Sequence, residues 1–316
     1  MLASTPERRV DPLTESAPAA RSVTPAEARV GTIAWDKPHW RGHFYPPDLA
    51  LRRRLRYAAA RLRTIEIDVT FRGRPAPATF AGWRDEVPED FRFAVKGPRE
   101  VTHAPTLRDA ADGAAAFLAG GVLELGARLG PLLWQFPPWR GFRPDEVEAF
   151  LAALPHSVDE ARHRIARLGL ATHPGIAGLP DRPLRHALEV RNPAFATPRF
   201  LDLLRRHDVA AVTTNSPGYP VFESVTADHA YLRLHGDLRR FPRGYDDAEI
   251  ERLAALVRGL RDGSGVDDGR GRDVSVYLDN PDRGGIGSPF DAMRLQRLVG
   301  GPVPGTGLTV QPRLWG

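Results

Sequence analysis

The chain has 316 residues, 42% of them apolar and 26% charged, the balance of a globular protein and not of a disordered or fibrous one. It has no cysteine, which excludes disulfides, thiolate metal sites and cysteine nucleophiles and leaves carboxylates, His, Lys, Arg and hydroxyls to carry any chemistry. The net charge of +5 comes from cations scattered along the chain, nearly all arginine, with Lys37 and Lys96 the only lysines, and this reads as a solvated surface and not a dense nucleic-acid footprint.

Residues 1–28, rich in Pro, Ser, Thr and Ala and without an apolar h-region, read as a disordered leader and not a secretory signal. Short apolar or alternating runs then predict strands over 30–35, 64–71, 91–96, 132–136, 187–191, 209–214, 231–235 and 274–279. Helical spacing fills the intervals over 49–63, 107–128, 144–153, 198–207 and 246–261, with Pro or Asp near the starts. The most apolar stretch, 113–133, carries Glu124, Arg128 and, within it, Gly120, Gly121, Gly126 and Gly130, so it does not qualify as a membrane span, and the cytoplasm is the default location. Segment 155–185, with four prolines, reads as a surface insertion, 262–272 (DGSGVDDGRGR) as a flexible loop and 301–316 as a C-terminal tail. Eight strands alternating with helices predict a single α/β domain over 29–300: a (β/α)8 TIM-type barrel of parallel strands with outer helices.

Alternate residues of a barrel strand face the interior and the helix layer, so the apolar register of each strand identifies its outer face. Ile65, Ile67, Val69 and Phe71 face out, turning Glu66 and Asp68 inward, and Phe91, Phe93 and Val95 do the same for Lys96. By the same rule Gln135, Glu189, Arg191, Arg233, His235 and Asp279 point inward. This ring draws on six strands and crowds toward their C-terminal ends, where barrel enzymes do chemistry. Four carboxylates facing Lys96, Arg191 and Arg233 must form a paired network, either a working site or a structural salt-bridge network; the concentration at one end favours a site. Tyr231 and Tyr277 read as packing residues with satisfied hydroxyls. No metal site is expected: His156, His163, His173 and His186 lack the spacing of two ligands on one helical turn, and Lys96 and Arg191 would repel a divalent ion at the ring. The run 134–139 (WQFPPW) offers an aromatic wall for a sugar or base, with rim packing as the alternative, and GGIGS after Arg283 lacks the strand-then-helix context of a dinucleotide loop.

At these residues the sequence resembles the DUF72 family, the YecE-like proteins. The resemblance runs from Val30 to Leu298, through GTIAWDKPHWRGHFYP from Gly31, TIEIDVTF from Thr64, FRFAVKGPREVTH from Phe91, GPLLWQFPP from Gly130, RPLRHALEVRNPAF from Arg182, VTADHAYLRLHGD from Val225 and VYLDN from Val276. It implies a TIM-type barrel and, as positions matching the family's polar pattern, Trp35, Glu66, Lys96, Thr102, His103, Gln135, Glu189, Arg191, Arg233, His235, Asp279 and Asn280. Three rim positions depart from that pattern: Asp68 where the family has Asn, Asn192 where it has His, and Pro281 where it has Asp.

The function expected is a hydrolase or lyase acting on a phosphorylated or glycosidic small molecule. Glu66 and Glu189 would act as acid and base, His235 would shuttle a proton, Lys96 with Arg191 or Arg233 would hold developing negative charge, and Trp35, His103, Gln135, Asp279 and Asn280 would bind substrate. The alternative is a non-catalytic binder of an anionic ligand such as a nucleotide or nucleic acid, with Trp35, Trp40 and Trp134 as stacking platforms. No cofactor, membrane partner or oligomeric state is specified by the sequence.

Overall fold

Val-, Ile-, Leu- and Ala-rich runs form eight parallel strands: β1 (Ala28–Ile33), β2 (Thr64–Ile67), β3 (Arg92–Lys96), β4 (Leu129–Gln135), β5 (His186–Glu189), β6 (Val209–Thr214), β7 (His229–Leu234) and β8 (Asp273–Leu278). They pair in sequence order and close into a barrel, β8 returning to β1 in a register that runs from Ala28 opposite Val274 to Thr32 opposite Leu278. The structure, a computed structural model, describes residues 26–242, 244–280 and 286–300. Around the barrel lie α1 (Arg54–Ala59), α2 (Pro77–Asp85), α3 (Arg99–Thr102), α4 (Leu107–Ala119), α5 (Pro144–Ala152), α6 (Val158–Arg167), α7 (Pro198–Arg206), α8 (Asp247–Asp262) and α9 (Ser288–Val299). The expected (β/α)8 barrel is therefore the architecture.

The apolar side chains separate into two bodies. The larger fills the space between strands and helices and includes Ile65, Phe93, Leu132, Trp134, Leu188, Leu232 and Val276. The smaller lies inside the barrel: Ile33, Ala94, Leu133, Ala187, Ala210, Val212, Ala227, Tyr231 and Tyr277. The strand parity read from the sequence is thus realised. Small interior residues on β3, β5 and β6 leave room for two tyrosine rings and the charged layer above them, since an interior packed at crystal density has no other place for them. A helix such as α7 docks through Phe200, Leu203 and Leu204, its start capped by Thr197 Oγ1 accepting from the Phe200 N–H. Phe200→Ala would cost about 3–5 kcal/mol in transfer and cavity terms.

Several boundaries differ from expectation, each for a local reason. The strand expected over 64–71 stops at Ile67, because Thr70 Oγ1 donates to the Ile67 and Lys96 carbonyls and residues 69–71 curl into a 3-10 turn. The helix expected over 107–128 ends at Ala119: Gly121 takes φ +113°, a side chain there would sit 2.7 Å from Pro77 Cα, and 122–128 continues as 3-10 turns. The helix expected over 49–63 is the six-residue α1 preceded by a 3-10 turn. Segment 155–185 contains α6, capped by Ser157 and docked through Val158, Ala161 and Ile165, so it is part of the helix layer and not a loose insertion. Loop 262–272 is fastened by Arg272, buried, whose Nε donates to the Ala227 carbonyl at 2.9 Å. At the N-terminus, β1 already opens at Ala28, and Glu27 N–H donates to Asp273 Oδ1. The rest of the expected leader, 1–25, and the expected tail, 301–316, lie outside the described residues. Among the described residues no single helix is long and apolar enough to cross a membrane.

Candidate active site

The polar interior is built in storeys. At the bottom Thr64 Oγ1 donates to the Arg92 carbonyl and lies 3.0 Å from the Tyr277 hydroxyl. Above it Glu66, fully buried on β2, receives the Tyr231 hydroxyl at 2.8 Å on Oε2 and Arg233 through Nε and Nη2, both at 3.0 Å. The other Arg233 nitrogen, Nη1, donates to Glu189 Oε2 at 2.5 Å. Arg191 Nε donates to Glu189 Oε1 at 2.7 Å, and Arg191 Nη2 to Gln135 Oε1 at 2.9 Å. The strands impose this order: Gln135 is paired with Glu189 in the β4–β5 ladder, and Arg233 follows Tyr231 by two on β7, so both face inward on successive levels.

Burial by itself raises the Glu189 carboxyl, but the Arg233 and Arg191 charges and the Arg191 hydrogen bond outweigh it and hold the group down at about 2. The same two carboxylates, with Tyr231, hold the buried Arg233 firmly protonated. Glu66 and Glu189, the carboxylates expected to act as acid and base, are therefore both paired with guanidinium groups, Glu66 with Arg233 and Glu189 with Arg233 and Arg191.

Higher up, at the mouth, the groups are less committed. Lys96 is half-buried at the end of β3; among the described residues its ammonium has no hydrogen-bond or ion-pair partner, and Nζ lies 4.2 Å from the Phe71 ring centroid. Burial and the Arg233 charge push Lys96 down to about 8. His235, just past the end of β7, is pushed down to about 4 by burial and the Arg233 charge, and its Nε2 is buried without a partner among the described residues. Asp68 is half-buried, raised by burial and by Glu66, within the field of both Lys96 and Lys37. Lys37 forms an ion pair with Asp279 across the β1–β8 seam. Arg191 has the Tyr219 ring 4.9 Å from its guanidinium, and its Nη1 is without a partner among the described residues. His103 stands edge-on to Phe71 at 5.3 Å and to the exposed Trp139 at 6.1 Å, with Thr102 Oγ1 3.0 Å from its Nδ1.

The fold thus brings together Glu66, Lys96, Gln135, Glu189, Arg191, Arg233, His235 and Asp279, with His103 at the rim. Trp35 is not among them. Ala34 adopts φ +59°, which breaks the strand alternation and turns the Trp35 ring onto Trp83 at 5.2 Å and Phe93 at 6.4 Å in the helix layer. Asn280 is also turned away, its amide donating to Asp291 of α9 at 2.6 Å. Of the proposed aromatic wall, Trp134 is fully buried in the helix layer, donating to His186 Nδ1 at 3.1 Å; Trp40 is buried too, and only Trp139 is exposed. His186 in turn shares a 2.8 Å hydrogen bond with the Pro155 carbonyl, a satisfied core histidine. Of the departures, Asn192 caps the turn after β5 and donates to the Pro138 carbonyl at 2.7 Å, while Pro281 and the first two residues of GGIGS lie outside the described residues.

Strand parity does not place Lys37 and Tyr219, which sit in loops beyond strand ends, and it assigns Phe71 to the outer face although the chain has curled into a 3-10 turn there. For Lys37 composition held a signal, one of two lysines among 44 basic residues. For Phe71 the parity rule ran past the real end of β2, and for Tyr219 no local pattern exists.

The comparisons with known proteins agree with the barrel fold. Residues 29–313 match the family described as "Protein of unknown function DUF72". The chain is 26% identical over 214 residues to the UPF0759 protein YecE of Escherichia coli K12, covering 66% of this chain and 73% of that protein. A DUF72 family protein of Thermotoga maritima superposes with TM-score 0.62 at 22% identity, over 86% of this chain and 99% of that one. One from Enterococcus faecalis V583 superposes with TM-score 0.59 at 18% identity, over 86% and 95%. By the extent of the family match and the shared barrel, the chain belongs to the DUF72 family.

Proposed function

We propose that the C-terminal mouth of the barrel is the active site of a hydrolase or lyase acting on a phosphorylated or glycosidic small molecule. The observation that carries this reading is Lys96: a half-buried amine brought down to about 8, with no counter-ion among the described residues, facing the interior beside Arg191. A structural network would neutralise such a cation, as it does Arg233; an unneutralised one near the working pH suits proton transfer and the holding of an anionic group. Arg191 offers its free Nη1 to the same anion, neutral His235 offers an unpaired Nε2, and Glu66 and Glu189 hold the arginines in place. The other reading, a nucleotide or nucleic-acid binder, has lost Trp35, Trp40 and Trp134 as stacking platforms.

The test is a panel of sugar phosphates, p-nitrophenyl phosphate and p-nitrophenyl glycosides, run with the wild-type chain and Lys96→Met. The reading expects turnover of at least one member that falls by roughly 100-fold or more in the variant, the range of a lost acid–base group. Equal rates in both proteins would overturn it. Binding without turnover that weakens steeply with salt would favour the binder.

A further inference from the structure

This chain uses arginine almost wherever it needs a cation. Of 44 Lys and Arg residues two are lysine, and the fold places both at the barrel mouth, Lys37 on Asp279 and Lys96 at the end of β3. Arginine supplies charge, forked hydrogen bonds and stacking as well as lysine does; what it does not supply near neutral pH is a free amine. The Lys37 ion pair is a task an arginine could perform. Lys96 has no such task, since among the described residues its ammonium meets no acceptor, only the face of Phe71.

We propose that Lys96 is a covalent catalyst whose amine condenses with the carbonyl carbon of an oxo substrate bearing a phosphate or carboxylate group, making the enzyme a lyase that works through a protonated imine. The inference rests on the reading of the mouth as an active site and adds the substrate's reacting group. Arg191 Nη1 receives the anionic end. The Lys96 ammonium gives one proton by way of solvent water to Asp68, which lies within its field but not in direct contact, and the freed lone pair forms a C–N bond as the carbonyl π pair moves to oxygen. A second proton passes from nitrogen to that oxygen, giving the carbinolamine. Asp68 returns its proton to the hydroxyl, the C–O bond breaks, and water leaves as the nitrogen lone pair closes the C=N bond. The balance is ammonium plus carbonyl giving protonated imine plus water, with no oxidant or reductant. The cationic imine then accepts the electron pair of the carbon–carbon bond that breaks at the neighbouring carbon, the departing carbon leaving as CO2 from a carboxylate or as an aldehyde whose hydroxyl proton passes to solvent; the resulting enamine takes a proton from water at carbon, and hydrolysis of the imine returns the amine. Burial and the adjacent Arg233 charge, which lower Lys96 to about 8, keep a useful fraction of that amine neutral.

The full chain is incubated with pyruvate or with dihydroxyacetone phosphate, reduced with sodium cyanoborohydride, and mapped by mass spectrometry. The expected result is an adduct at Lys96 formed roughly 10-fold or more faster than at Lys37, absent in Lys96→Arg, which keeps the charge and loses the amine. Because the chain has no cysteine, Lys96→Cys treated with 2-bromoethylamine rebuilds an amine at this position alone and is expected to restore the adduct. No preferential Lys96 adduct with either probe would overturn the imine. Protection of Lys96 from trinitrobenzenesulfonate by inorganic phosphate, measured in parallel, separates the two readings. Protection without an adduct removes the imine and leaves the anion-binding active site; neither protection nor adduct removes both.

Discussion

Arg233 grips Glu66 inside the barrel through two hydrogen bonds of 3.0 Å, and with its remaining nitrogen it reaches Glu189. One guanidinium therefore bridges two buried carboxylates, Glu66 from β2 and Glu189 from β5, and Arg191 supplies the second positive charge. This is the joint on which the floor of the site depends.

Arg233→Met would leave Glu66 buried against no cation and Glu189 against Arg191 alone, so we expect a loss of about 3–5 kcal/mol in urea unfolding at pH 7. In that variant burial disfavours the charged form of the carboxyls that have lost a cation. Their protonated form is the stable one, so the deficit should shrink as pH falls below about 4.3 and grow as it rises. A loss under about 1 kcal/mol at pH 7 would mean that Arg233 is not the joint.

Acid sensitivity of the wild-type chain should begin with histidine. His186, completely buried, is pushed down by burial to about 3. Its folded value lies below the unfolded one, so its contribution is fully present above pH 6.5 and is lost as pH falls toward 3, by at most about 1.4 kcal/mol per pH unit. Glu189, held down at about 2, adds a further loss of the same sign as pH falls from about 4.3 toward 2. Urea midpoints between pH 4 and 7.5 that stay flat would contradict this, as would an NMR titration showing His186 protonated at pH 5.

Trp134 belongs to the scaffold, not to the ligand wall. Trp134→Phe strips the donor from His186 Nδ1 and should destabilise the chain by about 1–3 kcal/mol. Phosphate binding at the mouth, measured by calorimetry, should stay within about twofold of wild type; a larger change would return Trp134 to the site.

Gly97 follows Lys96 and lies against Trp134, where an added Cβ would fall 2.4 Å from the indole Cε3. Gly97→Ala must push β3 away from β4 at the point where Lys96 emerges. We expect a cost of about 1–3 kcal/mol together with loss of the selective reactivity of Lys96 toward trinitrobenzenesulfonate. Retained Lys96 reactivity in a destabilised variant would show that its position does not depend on this contact.

The barrel and its polar ring were legible in the sequence because a parallel strand under helices must be apolar on one register. Glu66, Lys96, Gln135, Glu189, Arg191, Arg233, His235 and Asp279 followed from that rule alone. The rule fails where the strand does. Beyond Ile67 the chain curls, so Phe71 comes to lie beneath Lys96, and at Ala34 a left-handed residue swings Trp35 out of the site. Pairing was beyond the rule as well. Which arginine neutralises which carboxylate, and that Lys96 is left without a partner among the described residues, depend on distances between strands 44 to 167 residues apart in sequence. Periodicity determines which face a side chain takes; only closure of the barrel brings those faces together and decides which charges cancel.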